Sequence, residues 1–158
     1  MSGPVVFLDF DGVIVTRRSL IAWEKVMRES GEHLDDGHML DSECVRHLDA
    51  LCEASGAEIV ISSSWRRIHE LPKLASWLRR AGVRAEVIGR TQMTNHDRGH
   101  EIALWLMVHQ PDGCPYVVLD DDTDAGFGHG DRFVRCDLKD GLTDERAAMA
   151  LSVLQARG

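Results

Sequence analysis

No run in this chain approaches the roughly 18 apolar residues that a membrane-spanning helix needs. The opening Met-Ser-Gly-Pro carries neither the basic stretch nor the apolar run of a secretory leader, so a cytoplasmic location is the expectation. Cysteine is scarce: Cys44, Cys52, Cys114 and Cys136 form neither a CxxC pair nor a Cys/His zinc spacing, which predicts buried, reduced thiols without chemistry. Internal repeats and low-complexity segments are absent. Gly126, Gly128 and Gly130 in FGHGD follow an acidic cluster instead of linking a strand to a helix, so a mobile loop is expected there and not a dinucleotide fingerprint. Positive charge is in deficit as well. A formal net charge of -8 opposes a broad, non-specific grip on nucleic acid or on an anionic membrane.

What is present fits one soluble domain over residues 1–158, with 44% hydrophobic residues available for a core. PVVFLDF at 4–10 reads as a buried strand ending on Asp9, and AEIVI at 57–61 as a second. Between them, Val45, Leu48, Leu51 and Cys52 recur at helical spacing over 41–55, and Gly56 supplies the stop. A helix over 71–81, opened by Pro72 and closed by Gly82, leads to a strand at 83–88. A helix over 98–109, strands at 116–119 and 133–135 and a last helix from Thr143 complete the series. This alternation predicts a doubly wound α/β fold whose sheet is mainly parallel and covered on both faces. Residues 13–40 are the least periodic, with one short helix around 21–28, and form the natural flap or minimal cap.

Sites in such sheets form outside the carboxyl ends of the strands, and Asp9, Ser62 and Asp120 each directly follow an apolar strand run. Asp9 and Asp11, two apart, emerge on one face if the backbone stays extended, so one can attack while the other handles protons. Ser62 and Ser63 offer hydroxyls and free backbone N–H groups to a phosphate, although helix capping explains a serine there equally well. Arg98 opens a helix just ahead of the acidic cluster, where a cation could hold a phosphoryl oxygen. In LDDDTD, the carboxylates Asp120, Asp121 and Asp124 call for a hard cation, and Mg²⁺ suits a site that also binds phosphate.

In order, DFDGV at 9–13, the strand-end serines, Arg98-Gly99 before Ile102, and LDDDTD at 119–124 resemble the four motifs of the haloacid dehalogenase-like (HAD) phosphatases. More narrowly, ISSSWR at 61–66, RGHEIALWL at 98–106, VVLDDD at 117–122 and GLT at 141–143 are similar to the small HAD domains associated with RNA repair multienzyme proteins. The resemblance implies that Asp9 attacks phosphorus and that Asp11 protonates the leaving oxygen and then activates water. It implies a Mg²⁺ held by Asp9, the Asp11 carbonyl, and Asp120 or Asp121, with Asp124 in support. Arg98 stands where lysine is usual in the family, and an Asp pair stands where Gly-Asp is frequent.

No large cap insertion follows the first motif or precedes the third, so the resemblance implies an open cleft. Nucleotides or nucleic-acid ends are the expected substrates. Arg17, Arg18, Arg66 and Arg67 are the candidate backbone contacts, with Arg66 beside the phosphate; Trp23 and Trp65 are candidate stacking surfaces, with core packing the alternative for both and the stronger one for Trp65. A small-metabolite phosphatase of the same fold is the alternative. A phosphoacceptor signalling domain or a silent binding module is the rival from another class. Motif order opposes the first of these, since a receiver carries its phosphorylated Asp at the third strand, and the presence of both Asp9 and Asp11 opposes the second.

Overall fold

The computed structural model describes residues 3–156. Five short strands form one sheet in the order β3-β2-β1-β4-β5, and every neighbouring pair is parallel. They are β1 (Val5–Leu8), β2 (Glu58–Ile61), β3 (Val87–Arg90), β4 (Tyr116–Asp120) and β5 (Phe133–Arg135). The helices are α1 (Arg17–Ser30), α2 (Ser42–Ser55), α3 (Leu71–Ala81), α4 (Arg98–His109) and α5 (Asp144–Ala156). Among the described residues, no helix is long and apolar enough to cross a membrane.

Because side chains alternate along a strand, β1 feeds two cores. Val6 and Leu8 join Leu48, Leu74, Leu78 and Leu154 on the face covered by α2, α3 and α5, whereas Val5 and Phe7 meet Ile102 and Trp105 of α4 on the other. Phe7 is fully buried with its ring edge-on to both Trp105 and Tyr116. Burying a side chain of this kind stabilises the fold by about 1.5–3 kcal/mol. Three helices thus cover one face, and α4 carries the other.

The caps fix where the helices begin. Asp41 accepts the N–H groups of Glu43 and Cys44 at the start of α2, and Asp97 accepts that of His100 at the start of α4. The third strand starts later than its sequence pattern indicates, at Val87 instead of Val83. The Val83 N–H turns back to the Leu78 carbonyl as part of the stop of α3, and pairing with β2 begins only opposite Ile59. The helix in the flap is also longer than expected, because Thr16 and Ser19 form a reciprocal capping box at its start and Gly31 ends it. Val13, Ile14 and Val15 are fully buried, so only the part from Arg17 onward lies outside the core.

FGHGD is not the mobile loop expected from its glycines. His129 is buried, with one ring nitrogen 2.8 Å from the Gly99 carbonyl and the other 2.8 Å from the Tyr116 hydroxyl, which ties this loop to both α4 and β4.

Candidate active site

Just beyond the strand ends, three backbone bonds extend the ladder by one residue. The Asp9 N–H donates to the Leu119 carbonyl, that of Ser62 to Leu8 and that of Thr91 to Ile61, at 2.8–3.0 Å. Parallel register therefore sets Asp120, Asp9, Ser62 and Thr91 in one row along the carboxyl edge. Asp9 and Asp120 are buried, at 3% and 0% exposure. The Asp9 carboxylate accepts the N–H of Phe10 at 2.8 Å on one oxygen, and its other oxygen lies 3.3 Å from Arg98 Nη1. The same Arg98 nitrogen donates to Asp120 Oδ2 at 2.9 Å. Asp11 is half-buried, and its Oδ2 accepts the indole N–H of Trp65 at 3.1 Å.

Two glycines permit this closeness. Gly12 has φ +81°, and a Cβ on it would stand 2.4 Å from Asp121 Oδ2, in the space that the acidic strand end occupies. On α4, a Cβ on Gly99 would meet the Phe127 and Asp124 carbonyl oxygens at 2.5 and 2.8 Å, so only glycine lets the start of α4, and with it Arg98, come down onto the 123–127 turn.

The electrostatics of the cluster are strained in a way that one cation would relieve. Burial, and then Asp120, push the Asp9 carboxyl well above its ordinary range, against the pull of Arg98. Burial and Asp120 likewise raise Asp121. Burial raises Asp11, partly offset by Trp65 and Arg98. Arg98 loses hydration by burial, yet Asp9 and Asp120 outweigh that loss and hold its guanidinium more firmly charged. Oxygens of Asp9, Asp120 and Asp121 lie within 4.8 Å of one another. Three hard oxygen donors, two of them out of water and mutually repelling, fit a hard divalent cation.

Not every expected residue joins this cluster. Asp124 is exposed and contributes no oxygen to it, because the 3-10 turn Thr123–Gly126 carries its side chain outward. Ser63 acts as a cap, its hydroxyl accepting the Trp65 N–H at 3.2 Å, whereas the buried Ser62 hydroxyl has no protein partner. Arg66 is no open phosphate contact. Its Nη2 donates to Glu101 Oε1 at 2.6 Å and its Nη1 to the Ser63 carbonyl, both out of water. Arg18 is committed to Asp41 at 2.7 Å and to Glu43 at 3.2 Å. Trp65 packs tilted against Phe10 in the core, and Trp23 donates its indole N–H to the Asp35 carbonyl. The GLT segment supports the loop after Asp9 from behind, through the Leu142 N–H to the Val13 carbonyl at 2.7 Å.

Glu101 is the residue that the sequence hides. It reads as one more acidic position of α4, yet it is buried, and its second oxygen takes the Thr94 N–H at 2.6 Å. It thereby joins the serine turn, the 91–97 loop and the helix that carries Arg98. No spacing signals a partner 35 residues away.

Three of the four thiols are buried as expected, whereas Cys114 is only half-buried. All four are free; burial pushes Cys44 up to about 11 and Cys52 and Cys136 up to about 12. Iodoacetamide should therefore modify the half-buried Cys114 first in the native protein, with the other three reacting only on unfolding, as peptide mass mapping would record. Early labelling of Cys52 would contradict the burial.

With the geometry in place, comparison with protein families gives a match over residues 5–147 to the model described as the HAD domain in Swiss Army Knife RNA repair proteins. Comparisons with curated proteins and with solved structures give no match.

Proposed function

The chain belongs to the family of HAD domains in Swiss Army Knife RNA repair proteins, and on that premise we propose that it is a Mg²⁺-dependent phosphomonoesterase working through an aspartyl-phosphate. The observation that carries the reading is the placement of Asp9: a buried strand-end carboxylate, 3.3 Å from Arg98, in register with an unpartnered Ser62 hydroxyl. That arrangement supplies a nucleophile, a cation and a hydroxyl donor around one point, which suits a tetrahedral phosphoryl group.

An Asp9 oxygen attacks phosphorus, and the bond from phosphorus to the leaving oxygen breaks. Asp11 donates its proton to that oxygen; burial, which raises its pKa, favours the protonated form that the step needs. Water then attacks phosphorus, Asp11 takes its proton, and the Asp9–phosphorus bond breaks to release inorganic phosphate. Arg98 and Ser62 hold phosphoryl oxygens through both steps. Mg²⁺ held by Asp9, Asp120 and Asp121, with the Asp11 carbonyl, would supply charge neutralisation between the nucleophile and the phosphoryl oxygens.

The substrates proposed are nucleotides or nucleic-acid ends, a reading supported by the family description and by the exposed Arg17, Arg67 and Arg90. The net charge of -8 favours a small-metabolite phosphatase as the second reading. Hydrolysis of an aryl phosphate, a mononucleotide, a phosphorylated oligonucleotide and a sugar phosphate should be compared in Mg²⁺ and in excess EDTA. Turnover only in Mg²⁺, highest on the nucleotide substrates, is expected. Full turnover in EDTA would sink the mechanism, and equal efficiency on the sugar phosphate would transfer the substrate to the second reading.

A further inference from the structure

Because α4 alone covers its face of the sheet, packing Ile102 and Trp105 over β1, β2 and β4, the margin beside the edge strand β3 is left open. A groove of about 310 Å³ lies there, walled by Arg90, Gln92, Leu104, Trp105, Val108 and His109, with Glu101, already paired to Arg66, also on its lining. Trp105 and His109 stack with ring centroids 4.5 Å apart and planes 15° from parallel. At the carboxyl edge of the sheet a second hollow of about 270 Å³ shares Arg90 and Gln92 with the groove and adds Arg66, Thr91 and Met93. Within it, Arg66 Nε and Thr91 Oγ1 are buried hydrogen-bonding atoms without a partner. Thr91 stands in the same edge row as Ser62 and Asp9, two strands away from Asp9, and so about 10 Å from it.

We propose that these joined hollows seat the nucleotide next to the scissile phosphate of a single-stranded end. The inference rests on the phosphomonoesterase reading and extends it along the strand. The phosphodiester lies at Arg90 and Thr91, and the base enters the groove beside Trp105. Arg90 at this mouth is exposed, and its guanidinium turns to the Arg66 carbonyl instead of a carboxylate, which leaves its charge available to an anion. The groove matches the low end of small-ligand pocket volumes, and its apolar wall with an aromatic pair suits a flat base. Val108 is 71% exposed on that wall.

The test compares kcat/KM for a terminally phosphorylated dinucleotide, the matching mononucleotide and an aryl phosphate in wild type, Arg90→Ala and Val108→Glu. In parallel, the Trp105 indole N–H resonance is followed while a dinucleoside monophosphate lacking any terminal phosphate is added. The dinucleotide should exceed the mononucleotide by roughly tenfold, as one stacked base or one phosphate contact would give, and either substitution should remove most of that ratio. The indole resonance should move in wild type and not in Val108→Glu. If the aryl phosphate is hydrolysed but the second nucleotide gains nothing and the resonance stays still, the subsite is overturned and the phosphatase reading survives. If no phosphate ester is hydrolysed yet the resonance moves, the subsite stands and the phosphatase reading falls.

Discussion

Asp9→Asn is expected to reduce turnover by at least about 10³-fold on every phosphate ester, because an amide cannot form the acyl phosphate on which both half-reactions depend. The folded state should survive. In the native chain the Asp9 carboxyl is raised well above its ordinary range by burial and by Asp120, so its ionised form is less favourable in the fold than in the unfolded chain. A neutral isostere removes that penalty, and without added cation the variant should melt no lower than wild type. Steady-state rates together with a melting curve check both halves. A folded variant with wild-type rates would exclude Asp9 as the nucleophile; loss of rate with a collapsed melting temperature would leave only a structural role.

Glu101→Ala should cost about 3–5 kcal/mol of stability, a large share of the roughly 5–15 kcal/mol that a domain has to lose. The substitution leaves the Arg66 guanidinium charged in an interior where its side chain is 4% exposed, and it strips the Thr94 N–H of its acceptor. Glu101→Gln should lose less, since an amide oxygen can still accept one of the two bonds. Replacing both partners, as in Arg66→Met with Glu101→Leu, should recover part of the loss, because the uncompensated charge then disappears. Urea unfolding of the three variants measures this. Equal stability of Glu101→Ala and wild type would mean that water reaches the pair.

The contrast between Asp9 and Glu101 shows which parts of the site the sequence discloses. A residue that closes an apolar run at a strand end announces its place locally, and Asp9, Ser62 and Asp120 all do so. Glu101 lies within a helix whose pattern is satisfied without it, and its partner comes from a turn after another strand. Arg66 was misplaced for the same reason: a basic residue after a serine turn reads as exposed until the acid that neutralises it is located. Asp124 shows the reverse error. The acidic string extends beyond β4, but the chain enters a 3-10 turn at Thr123, so Asp124 falls outside the cluster that Asp121 still joins. Strand β3 fails at its amino end because VRAEVI has strand chemistry throughout, while the place where pairing starts is set by β2 and by the stop of α3. The glycines of FGHGD signal freedom, and the buried histidine among them removes it.

Helix α1 has fourteen residues and none of them is buried. A helix of that length is marginal by itself, and this one is held by its capping box, its glycine stop and the packing of Asp36–Met39 alongside. Its unfolding forfeits only the partial burial of side chains such as Leu20, Trp23 and Met27, and none of the fully buried residues of the two cores. Helix α1 is thus expected to open ahead of the sheet that holds the carboxylate row, and faster amide exchange over 17–30 than over β1 and β4 would record it.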